Sequence, residues 1–359
     1  MDRIPARVLN RTTLHRQALL DRSDSTAAAM IEHVVGMQAQ NPNDPYFALW
    51  ARLTSFDQSE LSTMIREGLA VRGQLMRATI HLVTTRDFLA LRPQLQTVCA
   101  RTLGSTSFAR DTAAVDRSAL LNEGRALLEE RPMTRAQLGG ALEPRWPGVP
   151  PASLAQVVTY LLPVVQVPPR GMWQRSAPAA WTTIEGLTGG ELGDEPPVED
   201  TVLRYLAAFG PASIKDVRAW SGLPGLREIV DRIRPRLRTF VNDSGVELLD
   251  LPDATLVEPD VPAPPRFLPE YDNVLLGHAD RSRFFLEGVI PEGWRGNLMI
   301  DGMFSGSWKV GHDRRGTRLE IDLKRKVGKS ELQAATGEAD RLLAVAFPEA
   351  ANRDVEVVA

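Results

Sequence analysis

The segment Gly210-Pro211-Ala212-Ser213-Ile214-Lys215-Asp216-Val217 decides the fold once it is set beside Arg131-Pro132-Met133-Thr134-Arg135-Ala136-Gln137-Leu138. Both run proline, a small or apolar residue, a hydroxyl residue suited to cap a helix, then a short helical stretch. The surroundings repeat as well. Thr201–Phe209 is predicted helical, the capped helix ends near Ser221-Gly222, and Leu226–Ile233 forms another. Leu237–Val241 then pairs with Val246–Leu251 across the turn Asn242-Asp243-Ser244-Gly245. Around the other copy, Leu120–Glu129 is helical, the capped helix ends near Glu143-Pro144, and Ser153–Leu161 follows. Val164–Val167 and Trp173–Arg175 read as strands joined by Pro168-Pro169-Arg170-Gly171. Helix, capped helix, helix, hairpin is the order of a winged helix, and its recurrence marks a repeat architecture.

Residues 7–99 fit the same order more loosely. Ser55-Phe56-Asp57 caps Gln58–Glu67, which Gly68 closes. Val71–Met76 and Thr79–Val83 alternate like two short strands, and Thr85 caps a helix starting near Arg86. Ahead of these lies a helix with an apolar stripe of Ala27, Met30, Ile31, Val34 and Val35. One step further the stripe lands on Gln38, a polar group aimed inward, within Gly36-Met37-Gln38-Ala39-Gln40-Asn41-Pro42-Asn43-Asp44-Pro45-Tyr46. Pro42 and Pro45 stop that helix from continuing. If the chain is extended there, Gln38 and Gln40 share one face. Two readings fit: the amides cap the helix end and brace the turn, or they converge on one water or polar ligand.

After Pro252 the chain is broken by Pro259, Pro262, Pro264, Pro265 and Pro269. Strand-like runs follow at Val274–Leu276, Phe284–Val289, Gly296–Ile300, Ser305–Val310 and Thr317–Leu323, and Ser330–Phe347 is a helix. The expectation is an α+β chain. Residues 1–112, 113–184 and 201–255 are three tandem winged-helix units, 185–200 is an acidic linker, and 256–359 is a small antiparallel β-barrel with a terminal helix.

Composition narrows the classes. A chain of 359 residues with 43% hydrophobic content has room for several globular domains. The lone Cys99 excludes a disulfide framework and a cysteine zinc site, and no two of His15, His33, His81, His278 and His312 stand at metal-ligand spacing. No metal and no cofactor is therefore expected. The charged N-terminus lacks an apolar signal region and no apolar run is long enough to span a bilayer, so a cytoplasmic protein is expected. The net charge is −3, yet Lys215–Arg238 holds seven basic residues against three acids, and His278–Lys329 holds eleven against seven. Local fields of this kind matter more for nucleic-acid binding than the total. Each cluster is equally readable as a solvated face.

Four stretches together carry a resemblance. They are Gly36-Met37-Gln38-Ala39-Gln40, Leu75-Met76-Arg77-Ala78-Thr79-Ile80-His81-Leu82-Val83, Leu268-Pro269-Glu270-Tyr271-Asp272-Asn273-Val274-Leu275-Leu276-Gly277-His278-Ala279-Asp280-Arg281-Ser282-Arg283, and Val289-Ile290 leading to 297–302. In this order the chain resembles the bacterial winged-helix DNA glycosylases of the AlkZ and YcaQ type, and more closely the AlkZ branch associated with azinomycin self-resistance. The YcaQ branch has Asp where this chain has Gln40. The resemblance implies three winged helices and a β-barrel arranged as a C around duplex DNA. It implies excision of N7-alkylguanine and unhooking of interstrand crosslinks. Gln38 and Gln40 become the catalytic pair, and a minor-groove hairpin falls on 308–317, with His312, Arg314 and Arg315 near its tip. The expected partner is duplex DNA containing alkylated or crosslinked guanine, bound by a monomer.

The chemistry suits those residues. Alkylation at guanine N7 makes the base cationic, so it leaves as a neutral molecule and needs no strong acid. An amide can orient water and turn its negative end to an oxocarbenium-like sugar, though it is no strong base. Lys215, Lys309, Lys324, Lys326 and Lys329 are the only lysines and lie far from the motif, which argues against Schiff-base lyase chemistry. His33 and Asn41 can reach the cleft, and Asp44 can add negative potential or simply cap a turn. His278, Arg281 and Arg283 can bind phosphates, or Asp280 and Arg283 can form a structural pair. Trp173, Trp181, Tyr46 and Trp50 read as packing. Two competing functions stay open: a winged-helix transcriptional regulator, which needs base-reading side chains on a recognition helix, and a drug-sequestering protein that leaves glycosidic bonds intact.

Overall fold

The architecture is that of a computed structural model, described for residues 2–189, 196–289, 291, 293–313 and 316–358. The chain opens with β1 (Asp2–Arg3), α1 (Ala6–Arg16) and α2 (Ala27–His33). The Thr26 side chain accepts from the Ala29 amide at the start of α2, a cap typically worth about 1 kcal/mol. The helix ends because Val35 and Gly36 take left-handed φ values of 55° and 87°. Glycine is required at position 36, since a Cβ there would lie 2.5 Å from Val83 Cγ1. The chain then runs extended through β2 (Met37–Gln38) and turns into α3 (Asp44–Arg52), which tolerates Pro45 in its first turn. Next come α4 (Gln58–Arg66), β3 (Ala70–Gln74), β4 (Ile80–Thr84), α5 (Thr85–Gln94), α6 (Gln96–Gly104) and α7 (Ser107–Asp111). Asp57 caps α4 as expected. The cap of α5 is Thr84 rather than Thr85, because Thr84 is the last extended residue and its hydroxyl meets the Asp87 amide.

The second stretch contains α8 (Arg117–Glu130), β5 (Met133–Thr134), α9 (Arg135–Leu142), α10 (Pro151–Leu161), β6 (Val164–Gln166), β7 (Ala180–Thr183) and α11 (Ile184–Thr188). Thr134 and Gln137 form a reciprocal capping box. The strand expected at 173–175 is instead β7. Trp173 is drawn into an aromatic cluster, with ring centroids 5.0 Å from Tyr46 and 4.9 Å from Trp50, and is lost to the ladder. The stretch expected as an acidic linker, 185–200, is partly helical: α11, capped by Thr183, runs into it, and the next helix starts at Val198, while residues 190–195 lie outside the described ones.

The third stretch matches the expectation in order: α12 (Val198–Phe209), α13 (Ile214–Ser221), α14 (Leu226–Ile233), β8 (Arg238–Val241) and β9 (Glu247–Asp250). Ser213 and Asp216 close a capping box, and Gly222 ends α13 at φ 80°. What the sequence reading missed is β1. It adds to the edge of β8 in parallel, Arg3 opposite Val241, and Ile4 and Leu9 pack against Phe240 and Leu248. The first residues of the chain thus complete its third unit.

The C-terminal region holds β10 (Arg266–Leu268), α15 (Asn273–Leu276), β11 (Gly296–Ile300), β12 (Met303–Asp313), β13 (Gly316–Leu323), α16 (Lys329–Ala346) and β14 (Arg353–Val358). Its sheet runs in the order β10-β11-β12-β13-β14, and no pairing joins β10 to β14 among the described residues. The expected barrel is therefore an open sheet there, and not wholly antiparallel. α16 crosses over the sheet, so β14 returns parallel to β13. Two expected strands are absent. Val274–Leu276 is helical because Asp272 caps it through the Val274 amide. At 284–289 the chain leaves a 3-10 turn, Arg281–Arg283, capped by Asp280, and Phe284 turns into the core.

Two packings position the site. The hairpins of the first two stretches merge into one six-stranded sheet, β2-β4-β3-β6-β7-β5. The core of the first stretch is continuous with the C-terminal sheet, where Trp50 and Phe56 share a cluster with Phe267, Trp308 and Leu343.

Candidate active site

The two glutamines stand where the first stretch meets the C-terminal region. β2 pairs antiparallel with β4, placing Gln38 opposite His81. The Ala39 amide donates to the Ile80 carbonyl, and the Ala39 side chain is fully buried. Alternation about Ala39 puts Gln38 and Gln40 on the opposite face. Gln38 is 6% exposed, whereas Gln40 is exposed. Arg77 holds Gln38: its Nη2 donates to Gln38 Oε1 at 2.6 Å, and its Nη1 donates to the Trp220 carbonyl at 2.5 Å. Gln40 Oε1 accepts a longer bond, 3.3 Å, from the Ile80 amide. Each amide carbonyl keeps a second lone pair for a water.

The middle of the motif is braced from below. Arg72 donates to the Ala39 carbonyl at 2.5 Å and to Gln166 Oε1 at 2.8 Å, tying both hairpins to it. From the C-terminal side, Asn273 Nδ2 donates to the Gly36 carbonyl at 2.6 Å. Asp272 next to it forms a two-pronged pair with Arg52 at 2.6 and 2.8 Å, both side chains buried. Tyr271, Asp272 and Asn273 line a small crevice with Gln38 and Met37. Three of the four stretches behind the resemblance therefore converge on one place.

Burial sets the electrostatics around the two glutamines. Burial holds His81 down to about 3, helped by Arg77, so the imidazole beside Gln38 is neutral. Burial also lowers Arg77 to about 10, with Arg281 adding to it, which still leaves the guanidinium charged at pH 7. Asp44 is buried, and desolvation with the nearby charges of Glu270 and Asp272 pushes its carboxyl up to about 8. At pH 7 it is mostly protonated, so the negative potential expected of it is small.

The other expected residues fall into three groups. Asn41 is exposed beside the motif, and its Oδ1 accepts from the Asn43 amide in an Asx turn. His33 is turned to α1, its Nε2 2.6 Å from the Arg16 carbonyl, and braces two helices. His278 is buried, with Nε2 3.0 Å from both the Phe209 carbonyl and Arg283 Nη1. Burial and the Arg283 charge lower it to about 3, so it brings no charge to a phosphate. Arg283 is spent on Thr13, His278 and the Pro211 carbonyl, and Asp280 caps the following turn instead of pairing with it. Arg281 is exposed and close enough to Arg77 to lower it, which keeps it beside the cleft. His312 is exposed on β12, 3.0 Å from Thr317 Oγ1, in the β12–β13 hairpin. Arg314 and Arg315 lie outside the described residues.

Sequence reasoning missed Arg77, Arg72 and the Arg52–Asp272 pair. Arg77 had one signal: a charged residue inside the apolar run Leu75–Ile80, at a turn without glycine. Its φ of 56°, followed by 57° at Ala78, is a conformation that side chains rarely adopt and that functional sites retain.

No curated protein matches the chain. The solved structure of the Streptomyces sahachiroi DNA glycosylase AlkZ is similar to it, with a TM-score of 0.76 at 18% identity over 100% of both chains, a likeness of fold. The family model described as DNA glycosylase AlkZ-like matches residues 31–345, which include the glutamine motif, Arg77 and the Pro269–Asn273 brace, and the chain therefore belongs to the AlkZ-like DNA glycosylase family.

Proposed function

We propose that the enzyme is a monofunctional glycosylase that hydrolyses the N-glycosidic bond of N7-alkylguanine and unhooks azinomycin-type interstrand crosslinks, giving self-resistance through DNA repair. The observation that carries the reading is the Gln38–Ala39–Gln40 face. It offers two neutral amides, one locked by Arg77 and one exposed, beside a neutral His81 and a protonated Asp44. Such a site has little general-base strength and suits a leaving group that departs unaided. A cationic N7-alkylguanine is one.

Roles follow from the hydrogen bonds. Gln38 is the positioning member, because Arg77 fixes its carbonyl. Gln40 is the water-orienting member, because it is exposed and its carbonyl is only weakly engaged. Its remaining lone pair accepts from water and its negative end faces the developing oxocarbenium sugar. Arg281 is the phosphate contact that the site supports best, while His278 and Arg283 are left to structure. We assign the three helical stretches with their hairpins to winged-helix units, on the order shared by α2-α3-α4-β3-β4, α8-α9-α10-β6-β7 and α12-α13-α14-β8-β9. The β12–β13 hairpin is the element offered to the minor groove. The regulator reading is weaker, because Arg232 and Arg234 on and after α14 are engaged by Glu199 and Glu247.

The test is duplex DNA with a single N7-methylguanine, followed by alkali, against a no-enzyme control and then against a crosslinked duplex. Strand breaks above the control are expected, and Gln40→Ala should abolish most of them. Full excision by both Gln38→Ala and Gln40→Ala would sink the site assignment. A covalent adduct trapped by borohydride would overturn the monofunctional reading.

A further inference from the structure

We propose that the groove starting one residue beyond Gln40 is a specificity site. It takes a planar aromatic substituent carried on the alkylated guanine and stacks it on Trp294. The inference rests on the glycosylase reading above.

The groove has a volume of about 270 Å³. An apolar cavity of about 150 Å³ holds benzene, and sites for drug-sized ligands begin near 300 Å³. The space thus suits a one- or two-ring substituent. Asn41, Asn43 and Asp44 form the wall that continues from the motif, and the partly exposed Phe47 and Trp173 contribute aromatic surface. Trp294 stands at the mouth, 92% exposed, while Trp50, Trp181, Trp220 and Trp308 are buried. A side chain of this size left open forgoes a large apolar burial.

The backbone at Trp294 is also fixed. Its φ is 70°, unusual for a bulky residue, and its backbone amide donates to Glu270 Oε1 at 3.0 Å. Glu270 is the residue before Tyr271, so the segment that braces the glutamine motif also sets the tryptophan.

The charges favour a neutral ring over a phosphate. The two cations at the groove, Arg295 and Lys309, are both bound by Glu320, at 2.5 and 3.1 Å. Asp44, 4% exposed, has an Oδ2 without a hydrogen-bond partner and lines the groove. Held protonated by burial and by Glu270 and Asp272, with Arg72 opposing more weakly, it supplies a neutral donor. Asn41 and Asn43 add amide groups, so polar substituents on the ring find partners.

The experiment compares single-turnover excision of N7-methylguanine and N7-benzylguanine in one duplex by wild type, Trp294→Phe and Trp294→Ala. Aromatic stacking of about 1–3 kcal/mol corresponds to about 5- to 150-fold, so Trp294→Ala should lose that factor on the benzyl adduct and about twofold or less on the methyl adduct. Trp294→Phe should keep most of the benzyl rate. Equal losses on both adducts would mean that the guanine itself stacks there, and would overturn the proposal, as would no loss on either. A binding arm uses uncleavable duplexes bearing a 2′-fluorinated sugar and the same two adducts. If wild type excises neither adduct and leaves the crosslinked duplex intact, but Trp294→Ala selectively weakens binding of the benzyl duplex, the groove stands and the N7-alkylguanine excision reading falls. Unchanged binding would remove both.

Discussion

Replacing Arg77 by alanine tests whether the orientation of Gln38 matters for excision. The substitution deletes two charge-assisted hydrogen bonds, to Gln38 Oε1 at 2.6 Å and to the Trp220 carbonyl at 2.5 Å. Bonds to charged groups contribute about 1.5–3 kcal/mol each, and water entering the partly buried turn recovers part of that, so a stability loss of about 2–4 kcal/mol is expected. Alanine gains nothing back from the backbone, since φ at position 77 stays at 56°. The kinetic effect is separate. Freed from Arg77, the Gln38 amide can rotate, and a misplacement of about 1 Å in a positioned group can cost about 10²-fold in rate. The assay is single-turnover excision of N7-methylguanine well below the unfolding midpoint, with binding measured in parallel. A phosphate role for Arg77 would appear in Kd and in its salt dependence rather than in the excision rate. A double-mutant cycle closes the test: Arg77→Ala should cost little further on a Gln38→Ala background. An Arg77→Ala enzyme that is less stable yet excises at the wild-type rate would refute the reasoning.

Three further outcomes follow from the same geometry. Asp272→Ala strands the buried Arg52 guanidinium and should lower stability by about 3–5 kcal/mol, read by urea unfolding; a loss below about 1 kcal/mol would deny the pair its bracing role. Gly36→Ala meets Val83 at 2.5 Å with φ at 87°, so a loss of about 1–3 kcal/mol is expected together with slower excision, because Gln38 follows two residues later. Asp44 gives a pH signature. Its folded carboxyl is raised to about 8 from the usual carboxylate value of 3.8, so between those values the native state holds a proton that the unfolded chain has released. Stability should therefore fall as pH rises through that window, by up to about 1.4 kcal/mol per unit, and level off above it. Asp44→Asn should flatten the profile; identical slopes would mean that Asp44 is ionised in the fold.

Order was legible in the sequence wherever the signal was local. Thr134, Ser213 and Asp57 each cap the helix they were read to cap, and the Asn242–Gly245 turn joins the strands it was read to join. Misreadings came where distant chain decides. Trp173 lies in a stretch with strand composition, yet Tyr46 and Trp50 claim its ring. Val274–Leu276 is apolar enough for a strand, but Asp272 is fixed by Arg52, 220 positions away, and starts a helix there instead. β1 has two residues and no pattern of its own, so only the exposed edge of β8 explains it. In the site, Gln38 and Gln40 were visible because a polar residue interrupted an apolar stripe. His278 and Arg283 are bound internally, which a basic cluster in sequence does not reveal.

The distribution of charge around the motif bears on what the enzyme must leave to its substrate. A hydrolase acting on a neutral nucleoside needs an acid to protonate the base or a base to activate water, and preferably both. Here the imidazole beside Gln38 is held neutral, the buried Asp44 carboxyl holds its proton, and the buried Asp272 carboxylate is engaged by Arg52. The charged groups that touch the motif directly, Arg77 and Arg72, are both positive and engage carbonyls of Gln38 and Ala39. A positive neighbour opposes a developing oxocarbenium ion, so in the proposed mechanism stabilisation falls to the dipole of Gln40, whose carbonyl is only weakly engaged. That is a weak catalytic field, and it is adequate only if the leaving base already carries the driving force. On this reading discrimination between damaged and normal guanine needs no closed pocket, because normal guanine leaves too slowly. Shape selection is then free to act on the substituent rather than on the base, which is where the groove beyond Gln40 lies.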